Sequence, residues 1–300
     1  MKVLITLACL ALAIAASAEE IVEKETSPVF NYHLRFGVDK ASKIKAAEEQ
    51  SAVSGQRIVG GSISDISETP YQAGLVIQIF VILTSVCGAS IIGNDRVLTA
   101  AHCNYDGRLT ANSFTVVLGS NFLFSGGRRI VTRDVVMHPE WDPNTTFNDV
   151  AIIRLGEVIS YSNVVQPIAL PSGDYRDNDF NGWDALASGY GQTRDGVGIG
   201  NNQQLSSVTL PVIDNLECAA VYGSFVRHTN VCTSGADGQG TCHGDSGGPL
   251  AVTSLDQKIL IGVTSFGAQA GCAAGYPAAY TRVTWYIDWI RSLNPTIIGG

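Results

Sequence analysis

The chain has 300 residues, 45% of them hydrophobic, and 19 basic against 27 acidic side chains leave a net charge of −8. That balance, with no basic stripe and no base-stacking motif, excludes nucleic acid as the expected partner. Past the first residues no segment is long and apolar enough to cross a bilayer, so no membrane role is expected.

Residues 1–18 read as an export signal. Lys2 gives the positive start, Val3–Ala16 is a run of small and apolar residues, and Ala16-Ser17-Ala18 fits the small-x-small cleavage pattern. Residues 19–57 form a charged, mixed segment with no cysteine, and His33 lies within it. Export bears on the seven cysteines. Cys9 leaves with the signal, and Cys87, Cys103, Cys218, Cys232, Cys242 and Cys272 remain for an oxidising compartment. Three disulfides are expected from fifteen possible pairings. A metal site is disfavoured because no close Cys-x-x-Cys pair occurs.

From Arg57-Ile58-Val59-Gly60-Gly61 the texture becomes short alternating apolar segments divided by Gly, Ser, Asn and Pro. Ala73–Leu83, Ser113–Leu118, Ala151–Leu155, Leu205–Val212 and Ile259–Ser265 read as antiparallel strands. Helical spacing is expected only near the end, around Trp285, Ile287, Trp289 and Ile290. The class is therefore all-β. Residues 58–300 are generous for one closed sheet and comfortable for two, though no internal repeat decides the number. From Ile58 onward there is one lysine, Lys258, against eleven arginines. Scarce lysine suits alkaline surroundings, because lysine approaches its pKa of about 10.4 there while arginine stays charged; lineage bias would leave the same trace.

Gly244-Asp245-Ser246-Gly247-Gly248-Pro249 carries the strongest chemical signal. Its glycines permit a tight turn whose backbone N–H groups converge on one spot, which is what a developing oxyanion needs. A serine hydroxyl also needs a base and a group to orient that base. Among five histidines, His102 stands apart, since it follows Leu98-Thr99-Ala100-Ala101 and precedes Cys103, whose disulfide can fix its backbone. Asp149 heads the apolar run Val150-Ala151-Ile152-Ile153, where a carboxylate drawn inside requires a partner.

Ile58-Val59-Gly60-Gly61, Leu98 to Cys103, Asp149-Val150-Ala151 and Gly244 to Pro249 occur in the order of the chymotrypsin family, which the chain resembles from residue 58 to its end. In finer texture, at Ser113–Gly119 and Ile261–Gly267, it looks like insect midgut chymotrypsin-like proteases, particularly those of moths. The resemblance implies two six-stranded β-barrels, at about residues 71–159 and 183–283, and a C-terminal helix at about 284–293. It implies Ser246 as nucleophile, His102 as base and Asp149 as orienter, with Gly244 and Ser246 as oxyanion donors. Ser265 is implied to hold Asp149, and Ser265, Phe266 and Gly267 to pair with extended substrate. Implied bridges are Cys87–Cys103, Cys218–Cys232 and Cys242–Cys272.

Residues 19–57 then become an activation propeptide, cut after Arg57 by a trypsin-like protease, and the freed Ile58 amine pairs with Asp245. Without cysteine, the propeptide is expected to leave after the cut. Chymotrypsin carries a histidine two residues before the cysteine matched by Cys87; here Ser85 stands there, so the zymogen lock is expected to differ. The pocket floor falls on Gly240, where trypsin-like enzymes have aspartate, and its walls on Gly267 and Ala278. Cleavage after Phe, Tyr or Leu follows, with smaller aliphatic residues as the alternative should the Ala278 methyl narrow the slot. His243 sits at the pocket mouth or faces solvent. No cofactor or metal is expected. Asn144-Thr145-Thr146 is a glycosylation sequon. The implied protein is a secreted digestive monomer acting on polypeptides and met by protein inhibitors, with a regulatory protease or a catalytically dead binding protein as alternatives.

Overall fold

The computed structural model describes residues 27–54, 64–191, 203–238, 240, 244–268 and 274–293. After an N-terminal helix, α1 (Val38–Ser54), the first sheet is built from β1 (Gln72–Phe80), β2 (Leu83–Gly93), β3 (Arg96–Thr99), β4 (Ser113–Leu118), β5 (Arg128–Thr132), β6 (Val135–Met137) and β7 (Ala151–Arg154). Their order is β5-β4-β1-β2-β3-β7-β6, antiparallel throughout. Alternation decides which face turns inward. Ala73, Leu75, Ile77 and Ile79 of β1 are all buried, and they pack with Ile91, Leu98, Phe114, Val116 and Ile152. The expected six strands appear as seven segments because β5 and β6 are halves of one bent strand, broken at Arg133-Asp134. Asp134 keeps its backbone engaged across the break, its carbonyl accepting from Arg154 N at 2.8 Å. The chain itself thus runs from one edge of this sheet, β5, to the other, β6, and the sheet forms a half-barrel.

β8 (Asp184–Gly189), β9 (Ser206–Ile213), β10 (Asn230–Thr233), β11 (Pro249–Ser254), β12 (Gln257–Phe266) and β13 (Ala278–Arg282) form a closed barrel in the order β10-β13-β12-β11-β8-β9. The short α2 (Asn215–Tyr222) follows β9, and α3 (Val283–Ser292) ends the described chain. Helix α3 turns back onto the first barrel, burying Val283, Tyr286, Ile287 and Ile290 at i, i+3, i+4 and i+7. Of the four residues expected on the apolar face, Ile287 and Ile290 are buried and Trp289 packs against them, whereas Trp285 lies off that stripe and is largely exposed.

Three further differences have physical reasons. The expected strand 73–83 breaks into a hairpin, with Val81 and Ile82 exposed at its tip; hydropathy cannot separate an apolar turn from a strand. Helix α2 buries only Cys218 and so has no periodic face to find, although Asp214 caps it by accepting from Leu216 N at 2.7 Å. Helix α1 lies in the segment read only as charged and mixed. It docks through Ala41 and Ile44 against Ile66, Val86, Val117, Leu123 and Tyr190.

The barrels approach closely at Gly88 and Gly248. Gly88 N donates to the Ser246 carbonyl at 2.7 Å, and Thr99 Oγ1 donates to the Gly88 carbonyl at 2.8 Å. A Cβ on Gly88 would lie 2.8 Å from Gly248 Cα and 3.0 Å from Gly248 N, and backbone cannot swing aside as a side chain can. Gly88→Ala should therefore destabilise the protein by about 1–3 kcal/mol, read as a lower denaturant midpoint. A wild-type midpoint would show that the junction yields freely.

Candidate active site

Asp149 enters the junction from the turn before β7. Asn148, in the left-handed region at φ 62°, turns the chain there, and its Oδ1 accepts from Tyr286 of α3 at 3.0 Å. His102 sits on a single 3-10 turn, Ala101–Cys103, which the Cys87–Cys103 disulfide ties to β2. The Asp149 carboxylate has no exposed surface and accepts three hydrogen bonds. They come from His102 N at 2.9 Å, His102 Nδ1 at 2.7 Å and Ser265 Oγ at 2.5 Å. Thr281 Oγ1 adds a bond to the Asp149 carbonyl at 2.7 Å. With Nδ1–H directed at the carboxylate, the lone pair of a neutral imidazole lies on Nε2. Nε2 is buried and makes no hydrogen bond among the described residues.

Ser246 stands on the tight turn that the glycines require. Gly248 N bonds the Asp245 carbonyl at 2.8 Å and Gly247 N bonds the Thr264 carbonyl at 2.7 Å. Gly247 has φ 81°, and a Cβ there would meet Thr99 Oγ1 at 2.2 Å and the Gly88 carbonyl at 2.5 Å. Any side chain is shut out.

The sequence pattern that defines the trypsin family matches residues 58–290. The chain belongs to the trypsin family. It is a serine endopeptidase with polypeptide substrates. It is 40% identical over 237 residues to "Collagenase" of Hypoderma lineatum, covering 78% of this chain and 86% of the relative. It is 38% identical over 238 residues to "Brachyurin" of Leptuca pugilator, covering 78% and 97%. A solved HL collagenase structure superposes with a TM-score of 0.71 at 37% identity, spanning 80% of this chain and all of that one.

For this trypsin-family chain, the remaining expected residues fall as follows. Asp245 is buried, and its Oδ1 accepts from Gly191 N at 2.7 Å. Gly244 has φ 107°. Ser265 and Phe266 end β12, both buried, and a Cβ on Gly267 would meet only open space. Ala278 opens β13 opposite Thr233 and is buried among the second barrel's core residues. Cys218–Cys232 is formed. Asn144 is half-buried, with Nδ2 donating to Asp142 Oδ1 at 3.1 Å. Gly240 is described, but residues 239 and 241–243 beside it are not. Arg57, Ile58, Cys242, His243 and Cys272 lie outside the described residues.

One occupant of the cleft was not expected. The Tyr32 ring packs edge-on against His102, with ring centroids 4.8 Å apart. Its hydroxyl donates to the Val86 carbonyl at 2.9 Å and interacts with the Ser246 side chain, while burial pushes the phenol pKa up. His33 Nδ1 lies 2.9 Å from Ser85 Oγ, and His33 N donates to Asp106 Oδ2 at 2.9 Å. Val29 packs with Phe266, Val226 and Ala279. The available signal was weak: Val29, Phe30 and Tyr32 are an apolar patch in a charged segment.

The hydrogen bonds to Asp149 rank two substitutions in the endopeptidase. Asp149→Asn presents an amide where Nδ1–H must be accepted and should lower kcat by about 10⁴-fold. Ser265→Ala removes one of three donors and should cost far less, roughly five- to fifteen-fold, from a lost bond of about 1–1.5 kcal/mol. Steady-state kinetics with a peptide anilide separates them; equal losses would contradict the ranking.

Proposed function

We propose that this is a secreted zymogen of chymotrypsin-like specificity, and the Asp149–His102 pair beside the Ser246 turn carries the reading. In this reading Ser246 Oγ attacks the scissile carbonyl and His102 Nε2 takes its proton. Asp149 holds the imidazole tautomer and stabilises the imidazolium that forms. The N–H groups of Gly244 and Ser246 receive the oxyanion, each worth about 3–4 kcal/mol. Collapse expels the amine, which takes the proton from His102 and leaves an acyl-Ser246. Water, activated by the same base, hydrolyses the ester and regenerates the enzyme.

Gly240 as an uncharged floor supports cleavage after Phe, Tyr and Leu. Burial of Ala278 in the second barrel's core favours this wide slot over the elastase-like alternative. The family match beginning at Ile58 supports activation by cleavage after Arg57. The signal segment and two formed disulfides support extracellular release. A digestive monomer in the gut lumen, met by protein inhibitors, is the simplest setting. Cleavage of collagen is a second reading, favoured by the name collagenase, which a relative and the matched solved structure carry.

Trypsin should convert the chain to a form beginning at Ile58. That form should cleave Phe, Tyr and Leu anilides at least about tenfold faster than Ala or Arg ones, a difference of roughly 1.4 kcal/mol. Faster cleavage after Arg would overturn the pocket reading, and digestion of native collagen beside denatured collagen tests the second reading.

Activation also sets a pH limit. A free α-amine has a pKa of about 7.7–8.0, and pairing with Asp245 raises it. The pair is therefore complete at lower pH and is lost as pH rises through the raised value. Activity should fall in alkali, and the residual activity of Asp245→Asn should lack that fall; an identical alkaline limb in both would remove the pairing.

A further inference from the structure

We propose that residues 27–48 are a reversible inhibitor of this peptidase, one that holds the cleft after the chain is cut and also acts when added in trans. The proposal rests on the serine endopeptidase reading of the His102–Ser246 cleft. Its basis is the path of the segment. Ser27 Oγ donates to the Pro143 carbonyl at 2.6 Å, and Val29 fills the apolar cluster that includes Phe266, the residue expected to pair with substrate. Tyr32 then covers His102 and reaches Ser246, leaving the His102 side chain with no exposed surface. His33 binds Ser85, and a π-helical turn, His33–Gly37, leads into α1.

The anchors continue beyond the cleft. Ile44 is fully buried. The Glu48 carboxylate accepts from Leu123 N at 2.7 Å, Phe124 N at 3.0 Å and Ser125 Oγ at 3.2 Å. Every one of these contacts lies at or before residue 48, so a cut at Arg57–Ile58 severs none of them. Release then depends on dissociation and hence on concentration. Lack of cysteine means no covalent tether, but it does not mean prompt departure.

The conformation also explains why an occupant of the cleft is not consumed as substrate. A substrate must lie extended along Ser265–Gly267. Here Asn31 turns at φ 58°, and the N–H groups of Asn31 and His33 go instead to the Asp106 carbonyl and carboxylate. Residues 33–37 are wound, which keeps their peptide bonds from presenting an extended face to Ser246.

Acid should loosen the contact. Burial lowers the His33 pKa to about 4, with His102 acting in the same direction and Asp106 opposing. An unbound histidine near 6.5 takes up a proton first, so binding is full above about 6.5 and weakens as pH falls toward 4. Glu48, whose carboxyl pKa burial raises, works the other way. His33→Gln isolates the histidine share, about tenfold between pH 7.5 and 5.5.

The test cuts the full-length chain with immobilised trypsin and separates the fragments. A synthetic peptide of residues 19–57 is then added to the cut wild-type protein and to its Ser246→Ala form. The peptide should bind the Ser246→Ala protein by calorimetry, inhibit wild-type turnover reversibly, and lose at least about 30-fold in affinity as Tyr32→Ala. The His33→Gln peptide should show a flatter pH dependence. No binding, binding without inhibition, an unchanged affinity for Tyr32→Ala, or rapid cleavage of the peptide within residues 27–48 would each overturn the proposal. Failure of the underlying peptidase reading looks different: cut wild-type protein, freed of the segment, would turn over no substrate while Ser246→Ala still bound the peptide.

Discussion

A carboxylate with no exposed surface sits where the two barrels meet, and much of the architecture serves to keep it there. Isolated in an apolar interior, Asp149 would cost several kcal/mol or take up a proton. Three donors meet it, two from His102 on the first barrel and one from Ser265 on the second. Its backbone carbonyl is held by Thr281 of β13, and the residue before it by Tyr286 of α3. Neither barrel alone supplies all of these bonds. The C-terminal helix has the same logic, since it leaves the second barrel and buries its apolar stripe on the first. The geometry of the proposed catalytic pair and the docking of the barrels are thus one requirement.

The same junction explains the glycines of the Ser246 turn. Gly247 fits against Thr99 and the Gly88 carbonyl, and Gly88 in turn donates to Ser246. Backbone packs closely on backbone there, with the Thr99 hydroxyl bonded to the Gly88 carbonyl, which fixes the Ser246 turn against the His102 loop. Two other histidines, His138 and His228, pack against aromatic rings. His138 packs between Tyr286 and Trp289, at 5.4 and 5.2 Å, and His228 lies 4.4 Å from Trp285.

Legibility in the sequence followed how local each signal was. The Ser246 turn, the disulfide beside His102 and the acid heading an apolar strand are short-range patterns whose chemistry demands those residue types. The first sheet's split strand was not readable, because Arg128–Thr132 and Val135–Met137 are short and neither carries a sustained alternation of buried and exposed residues. Helix α2 has one buried residue and therefore no period. The N-terminal segment was hardest. Its helix and cleft contacts depend on surfaces more than fifty residues away, Ser85, Asp106 and Leu123 among them, and no local pattern encodes that distance. Ser85 illustrates the point. Ser85 carries no imidazole of its own, yet His33 brings one to within 2.9 Å of its hydroxyl from the N-terminal segment.

Occupation of the cleft by Tyr32 and the buried Asp149–His102 pair support one proposal: a catalytic pair already in place, covered until the chain is processed. The rate at which a fluorophosphonate labels Ser246 tests it most directly, measured on the intact chain and on the chain cut after Arg57 and freed of its N-terminal segment. The account predicts slow or no labelling of the intact chain and rapid labelling afterwards, abolished by Ser246→Ala. Equal rates before and after would contradict it.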